Sequence, residues 1–132
     1  MATTSQVLQD PIKSIAEYGG FHDAKVVSID WNESEARLVV RLDDLNSNFL
    51  GLPEYKGKQP GGIAFDTVSQ IAFNLEFPQG SMNIDEIGLI AKKGARQSGT
   101  PAEQYQLTIR IWPAGKLVAT CESVSIVAPR PT

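Results

Sequence analysis

From Ala24 onward, apolar and polar residues alternate with a period of two. Val27, Ile29 and Trp31 alternate with Val26, Ser28 and Asp30; Leu38, Val40 and Leu42 alternate with Arg37, Val39 and Arg41. Successive side chains of an extended chain point to opposite faces, so each run predicts a strand with one apolar face. The residues Asn32 to Glu35 between them predict a hairpin loop. In that register Trp31 sits opposite Ala36, Ile29 faces Leu38, Val27 faces Val40, and Asp30 meets Arg37 on the outer face. A second hairpin is as plain. Tyr105, Leu107, Ile109 and Ile111 alternate with Gln104, Gln106, Thr108 and Arg110, and Pro113-Ala114-Gly115 supplies the turn. Pairing Ile111 with Leu117 then sets Ile109 against Ala119 and Leu107 against Cys121.

Between the hairpins the pattern is less regular. Residues 63–77 are too long for an ordinary strand, so a bend is expected near Thr67–Ser69, before the alternation of Ile71, Phe73, Leu75 and Phe77. Ile84 to Ala91 predicts a shorter strand, and Lys92 to Glu103 a polar connection. Asp43 to Gly62, rich in Asn, Gly and Pro, predicts a long loop with a short edge strand around Phe49–Leu52. Loops of that length are uncommon in compact domains unless they serve a function.

The helical period occurs once. Asp10 precedes Pro11, and a carboxylate can cap free backbone N–H groups while proline loses nothing at the first helical position. Ile12, Ile15 and Ala16 follow at helical spacing, and Gly19-Gly20 stops the helix. Residues 1–9 are expected to be loosely ordered, and the tail at 129–132 cannot extend a central strand. The whole predicts a mainly β domain. Its form is an antiparallel β-sandwich or strongly curved sheet of about six to eight strands, with a short N-terminal helix.

Composition narrows the function classes. With 132 residues, 42% hydrophobic and 20% charged, the chain fits one globular domain, 1–132. A net charge of −3 gives no cationic footprint for nucleic acid. No apolar run reaches the ~20 residues of a membrane span or resembles a signal peptide, so a cytoplasmic location is expected. A single cysteine rules out an intramolecular disulfide.

His22 is the only histidine. With Asp23 beside it, it reads either as a base or hydrogen-bond anchor, or as a structural residue satisfying loop backbone where helix meets strand. The structural reading is preferred, because neighbours on a strand point to opposite faces and Asp23 then cannot orient His22. Cys121 falls on an apolar face, where a thiol behaves as a small hydrophobe. One His and one Cys cannot supply the N/S ligands of a transition-metal site, and no cofactor is expected. Asp44, Asn46 and Asn48 mimic the opening of a calcium loop. Phe49 replaces its turn glycine and Tyr55 its bidentate glutamate, so turn chemistry is expected. Gly51 to Lys58 fails as a phosphate loop, with one residue too many and Gln59 in place of the hydroxyl. Lys92, Lys93 and Arg96 form a small basic cluster, read as a solvated connection. The outer-face residues Val26, Val39, Val118, Val124 and Ile126 are expected to be buried within the monomer rather than in a subunit contact.

The run Phe21-His22-Asp23-Ala24-x-Val26-x-x-Ile29 resembles the opening of a group of small bacterial proteins. The later Ile63-Ala64-Phe65-Asp66-x-Val68 and the closing Ala119-x-Cys121-Glu122-Ser123-x-Ser125-Ile126 resemble the rest of their layout. That group consists largely of uncharacterised β-rich domains and includes immunity-protein-like members of bacterial toxin systems. The resemblance implies a non-enzymatic role and carries over no catalytic residue. The expected function is therefore binding of another protein through a surface, by a monomer or homodimer. The alternative is a small-molecule or catalytic site near His22, Asp23 and the 43–62 loop, with Asp44, Asn46 and Asn48 as further candidates.

Overall fold

The structure, a computed structural model, describes residues 5–75, 82–95 and 101–128. The elements are β1 (Ser5–Val7), α1 (Pro11–Glu17), β2 (Val26–Asn32), β3 (Arg37–Leu42), β4 (Gly61–Asp66), β5 (Gln70–Leu75), β6 (Asn83–Ala95), β7 (Pro101–Trp112), β8 (Gly115–Cys121) and β9 (Ser123–Val127). Single 3-10 turns lie at Gly19–Phe21 and Ser47–Phe49. Two antiparallel sheets form, one in the order β1-β9-β4-β3-β2 and the other β5-β8-β7-β6. The predicted mainly β class, with one short helix, is what the chain adopts. Among the described residues nine strands form rather than six to eight. One addition is β1, in the segment expected to be loose, which pairs with β9 from Ser5↔Val127 to Val7↔Ser125.

The bend foreseen near Thr67–Ser69 joins the sheets. Thr67 takes φ 55, a left-handed conformation that a β-branched residue rarely adopts. Beside it the closing strand turns as well, dividing into β8 and β9. Ser69 N–H donates to Thr120 O at 2.9 Å and Glu122 N–H to Asp66 O at 3.0 Å. The β4/β9 pair of one sheet therefore continues as the β5/β8 pair of the other. On the opposite side, Val26 N–H to Met82 O and Ile84 N–H to Ala24 O, both 2.8 Å, tie the start of β2 to the start of β6.

Both predicted hairpins form, each in a register two residues away from the expected one. Trp31 faces Leu38 and Ile29 faces Val40, because Ala36 enters the left-handed region (φ 50) and belongs to the loop. Asp30 consequently lies opposite Val39 and pairs with Arg41 at 3.1 Å, while Arg37 pairs with Asp66 at 3.2 Å. In the second hairpin Ile109 faces Leu117, Leu107 faces Ala119 and Tyr105 faces Cys121. A two-residue slip keeps every side chain on its face, so the apolar sides were assigned correctly. The exception is a bulge between Val26 and Ser28, which turns Val26 inward and leaves Val27 63% exposed.

The core lies between the sheets, built from Leu38, Val40, Ile63, Phe65, Leu107, Ile109 and their neighbours. Of the outer-face residues, Val124 and Ile126 share the inner side of β9, whereas Val39 packs with Ala64 and Val127 in a small second cluster. Val26, Val39 and Val124 are buried and Val118 and Ile126 half-buried, as monomer burial predicts.

Three further expectations need correction. No strand forms at Phe49–Leu52; successive i to i+3 bonds from Ser47 to Tyr55 coil the segment instead, leaving Leu50 and Leu52 exposed. The polar stretch from Lys92 onward is strand, since β6 runs to Ala95 and pairs with β7 from Pro101. Lys92 and Lys93 thus sit on a strand, and Arg96 lies outside the described residues, as does Phe77. The helix begins as predicted, with Asp10 Oδ1 accepting from Lys13 N–H at 3.2 Å. Its buried side is Pro11 and Ile15; Ile12 and Ala16 are exposed.

Candidate functional site

The Phe-His-Asp turn begins where α1 ends. Gly19, Gly20 and Phe21 all take positive φ (67, 66 and 56), a reversal that drops Phe21 into the core, stacked on Tyr18 at 4.8 Å. After an extended His22, Asp23 returns to φ 67. Non-glycine residues in this region are strained and persist where neighbours over-determine them. The neighbours here do so. Asp23 N–H donates to Ile84 O at 2.9 Å, Asn83 Nδ2 to Asp23 O at 3.1 Å, and Ser47 Oγ to His22 O at 2.8 Å.

His22 itself is half exposed. Its Nδ1 lies 2.7 Å from Asp85 O, and its Nε2 lies 3.4 Å from Asp23 Oδ1. A backbone carbonyl can only accept, so Nδ1 carries the proton. The expectation that Asp23 cannot reach His22 is overturned. It assumed a strand at 22–23, whereas the left-handed Asp23 swings its carboxylate to the same side as the ring. The bond to Asp85 O joins the ring to the backbone of β6, not to the loop where helix meets strand.

The long loop supplies two different kinds of residue. Asp44 and Asn46 are buried, 7% and 5% exposed, and hold the loop from within. Asp44 Oδ1 accepts from Asn46 N–H at 2.9 Å and Gln59 N–H at 3.1 Å; Oδ2 accepts from the Tyr55 hydroxyl at 2.7 Å. Asn46 Nδ2 donates to Gly57 O at 2.9 Å. Burial alone pushes the Asp44 carboxyl upward. The bonds from Tyr55, Gln59 and Asn46, with the charge of Lys58, outweigh it and hold the group below its ordinary value. This is the turn chemistry expected of the Asp-x-Asn run, and both residues are committed to it. Asn48 points the other way, packed on Gly19. The structure therefore gathers His22, Asp23, Ser47 and Asn48 at one corner, with Asp44 and Asn46 as internal supports.

A shallow groove of about 410 Å³ runs between α1 and this loop, with Tyr18, Asn46 and Phe49 against Glu17, Glu54 and Lys56. His22 does not line it. Cys121 is fully buried, and burial together with the Asp66 charge pushes its thiol up to about 12, a setting for packing and not for nucleophilic attack. Among the described residues, no three His, Cys, Asp or Glu side chains gather as a metal site would need. No described helix is long and apolar enough to cross a membrane.

Periodicity alone did not point to a second, apolar opening. A groove of about 600 Å³ lies between β2 and β5, lined chiefly by Val26, Ile29, Trp31, Phe73, Leu75 and Met82. Trp31 faces the buried Leu38, and Phe73 faces the buried Leu117. Both therefore point to the inner side of their sheets. They remain 42% and 46% exposed because each stands on a strand where its sheet ends. Alternation puts both on an apolar face, and the structure makes them the open rim of the core and not part of its sealed interior. Which strands end a sheet depends on the order of pairing, and no single strand's alternation carries that information. Compared with known protein families, with curated proteins and with solved structures, the chain matches none.

Proposed function

We propose that this chain is a non-enzymatic binding protein of the immunity type, acting on another protein through a surface. The observation that carries the reading is the apolar rim of Val27, Trp31 and Phe73 beside a groove of about 600 Å³. Large apolar side chains gathered at an opening mark interaction sites, whereas scattered ones need no explanation. Aromatic anchors of this kind supply most of the binding energy in protein interfaces. The reading is also supported by Cys121, which is buried in the core, and by Asp44 and Asn46, whose side chains bond within the 43–62 loop.

The test is affinity retention from bacterial extract on the immobilised chain, comparing wild type with Trp31→Ser and Phe73→Ser. A retained protein lost by both rim variants, yet kept by Trp112→Ser at a separate exposed tryptophan, supports the proposal. Equal retention by all four chains refutes it.

A second reading, a small-molecule or catalytic site, is favoured by one observation: the Asp23 carboxylate stands 3.4 Å from His22 Nε2. Against it, Nδ1 is committed to Asp85 O. His22→Ala separates the two. A lowered melting temperature with retained partner binding is the structural outcome; unchanged stability with lost binding or turnover is the other.

A further inference from the structure

The groove between α1 and the 43–62 loop is built differently from the apolar rim. It measures about 410 Å³, and its lining falls wholly within the continuous stretch 5–75. Two carboxylates, Glu17 and Glu54, stand against one ammonium, Lys56, and all three residues are exposed. The charge of Asp44, which bonds the Asn46 and Gln59 N–H groups, is answered by Lys58. The lining is therefore net negative. Glu17 is also the last residue of α1, where a negative charge opposes the helix dipole, so helix stability does not account for its presence.

The walls are aromatic and amide. Tyr18 is held by its stack on Phe21 at 4.8 Å, and Phe49 lies half-buried at the end of the 3-10 turn Ser47–Phe49. Asn46 is only 5% exposed, yet it lines the groove. Its Nδ2 donates to Gly57 O at 2.9 Å and to Gln59 Oε1 at 3.5 Å, which uses the amide hydrogens within the loop. Oδ1, which can only accept, is the atom left to an occupant.

These groups discriminate by charge. An anion would meet two carboxylates. A neutral apolar molecule would cover the rings but strip water from the carboxylates and Asn46 without replacing its bonds. An organic ammonium ion avoids both faults: its N–H groups reach carboxylate and amide oxygens, while its charge and alkyl chain lie against aromatic faces. We infer that this groove binds a small organic ammonium ion. Glu17 and Glu54 are the counter-charges, Tyr18 and Phe49 the walls, and Asn46 Oδ1 the acceptor. A free amine and a lysine side chain of another protein present the same chemistry. The site is separate from the Val27, Trp31 and Phe73 rim and does not rest on it.

The probe is butylammonium, titrated into the isotopically labelled full chain and followed by its amide resonances, with 1-butanol and butyrate as the neutral and anionic counterparts. Expected are saturable shifts centred on residues 17–18, 46–49 and 54–59, produced by butylammonium and weakened by salt. Affinity falls about two- to tenfold in the double substitution Glu17→Gln with Glu54→Gln. It falls as well in Phe49→Leu, which keeps an apolar side chain and removes the ring, and it rises in Lys56→Gln. Each variant is checked by melting to be folded. A Gly-Lys-Gly peptide blocked at both ends separates the two sources. Binding as tight as that of butylammonium assigns the site to a lysine of another protein, and binding of butylammonium without the peptide assigns it to a free amine. Shifts elsewhere, absence of any saturable shift, or equal binding of 1-butanol overturns the inference. So does an affinity unchanged by the paired glutamines or lowered by Lys56→Gln. Trp31→Ser and Phe73→Ser should leave the titration unchanged, so this inference and the surface-binding reading fail separately.

Discussion

The hydroxyl of Tyr55 donates to Asp44 Oδ2 at 2.7 Å, closing the loop that follows β3 upon itself. Because Asp44 is nearly buried and also accepts from Asn46 and Gln59, it is the residue on which the 43–62 loop hangs. Asp44→Ala leaves those donors without partners and should destabilise the fold by about 1–3 kcal/mol. The pH dependence follows from its lowered pKa. A carboxyl held below its unfolded value of 3.8 contributes stability that is fully present above 3.8 and lost as pH falls through the folded value. Urea midpoints measured across the acid range should therefore fall more steeply for wild type than for Asp44→Asn. Parallel curves would remove Asp44 from the linkage.

Tyr55 gives the same contact a second readout at high pH. Its bond to the Asp44 carboxylate, then burial and the charges of Asp44 and Asp43, raise its pKa above 10.0. Ultraviolet titration should show two late-ionising tyrosines, one of which disappears in Tyr55→Phe and moves back toward 10.0 in Asp44→Asn. The buried Tyr105, also raised by burial and the neighbouring charge of Glu103, remains as the internal comparison.

Phe65 and Phe73 separate the sealed core from its open rim. Phe65 is fully buried on β4, so Phe65→Ala should cost about 3–5 kcal/mol. Phe73 is 46% exposed, so the loss on Phe73→Ala should be about half that or less. Denaturant midpoints for both variants check the difference. Equal losses would mean that the groove is closed in solution.

That contrast also marks where the sequence stopped being informative. Alternation placed Phe73 on the same side as Ile71 and Leu75, and Trp31 on the same side as Ile29, correctly in both cases. The bend at Thr67, the Asp10 cap and the glycine stop were legible because each depends on residues adjacent in the chain. The strand order is not local, and it decides that β2 and β5 end their sheets. The contact between His22 and Asp85 O joins residues 63 apart in sequence, and no motif announces it. The Asp23 error was local but hidden, since nothing in the run Phe-His-Asp-Ala requires a left-handed aspartate.

Cys121 should behave as a core side chain. It is fully buried, and a thiol held near 12 offers almost no thiolate at neutral pH. A thiol reagent should label it only as fast as the fold opens, and denaturant should accelerate labelling sharply. Rapid stoichiometric labelling of the native chain would contradict both its burial and its inertness.

The last prediction concerns how the Phe-His-Asp turn is joined to the long loop. Gly19 and Gly20 have nearly the same φ, +67 and +66, so an alanine at either takes on the same left-handed strain of about 1–2 kcal/mol. Their surroundings differ. A Cβ on Gly20 meets only Ile87 backbone at 3.8 Å, an ordinary contact, whereas a Cβ on Gly19 would occupy the space of the Asn48 side chain. Gly19→Ala must therefore displace Asn48, and with it the turn whose Ser47 hydroxyl holds His22 O. Gly19→Ala should be more destabilising than Gly20→Ala by about 1–3 kcal/mol, the usual range for overpacking. Asn48→Ala should remove most of that excess in the double variant, since it takes away the two nearest atoms, Asn48 Nδ2 and Cγ, and leaves the Asn48 Cβ 2.9 Å from the new methyl. A double-mutant cycle on thermal or urea unfolding measures the coupling. Equal effects of the two glycine substitutions, or simple additivity with Asn48→Ala, would show that the loop and the turn are not packed together at Gly19.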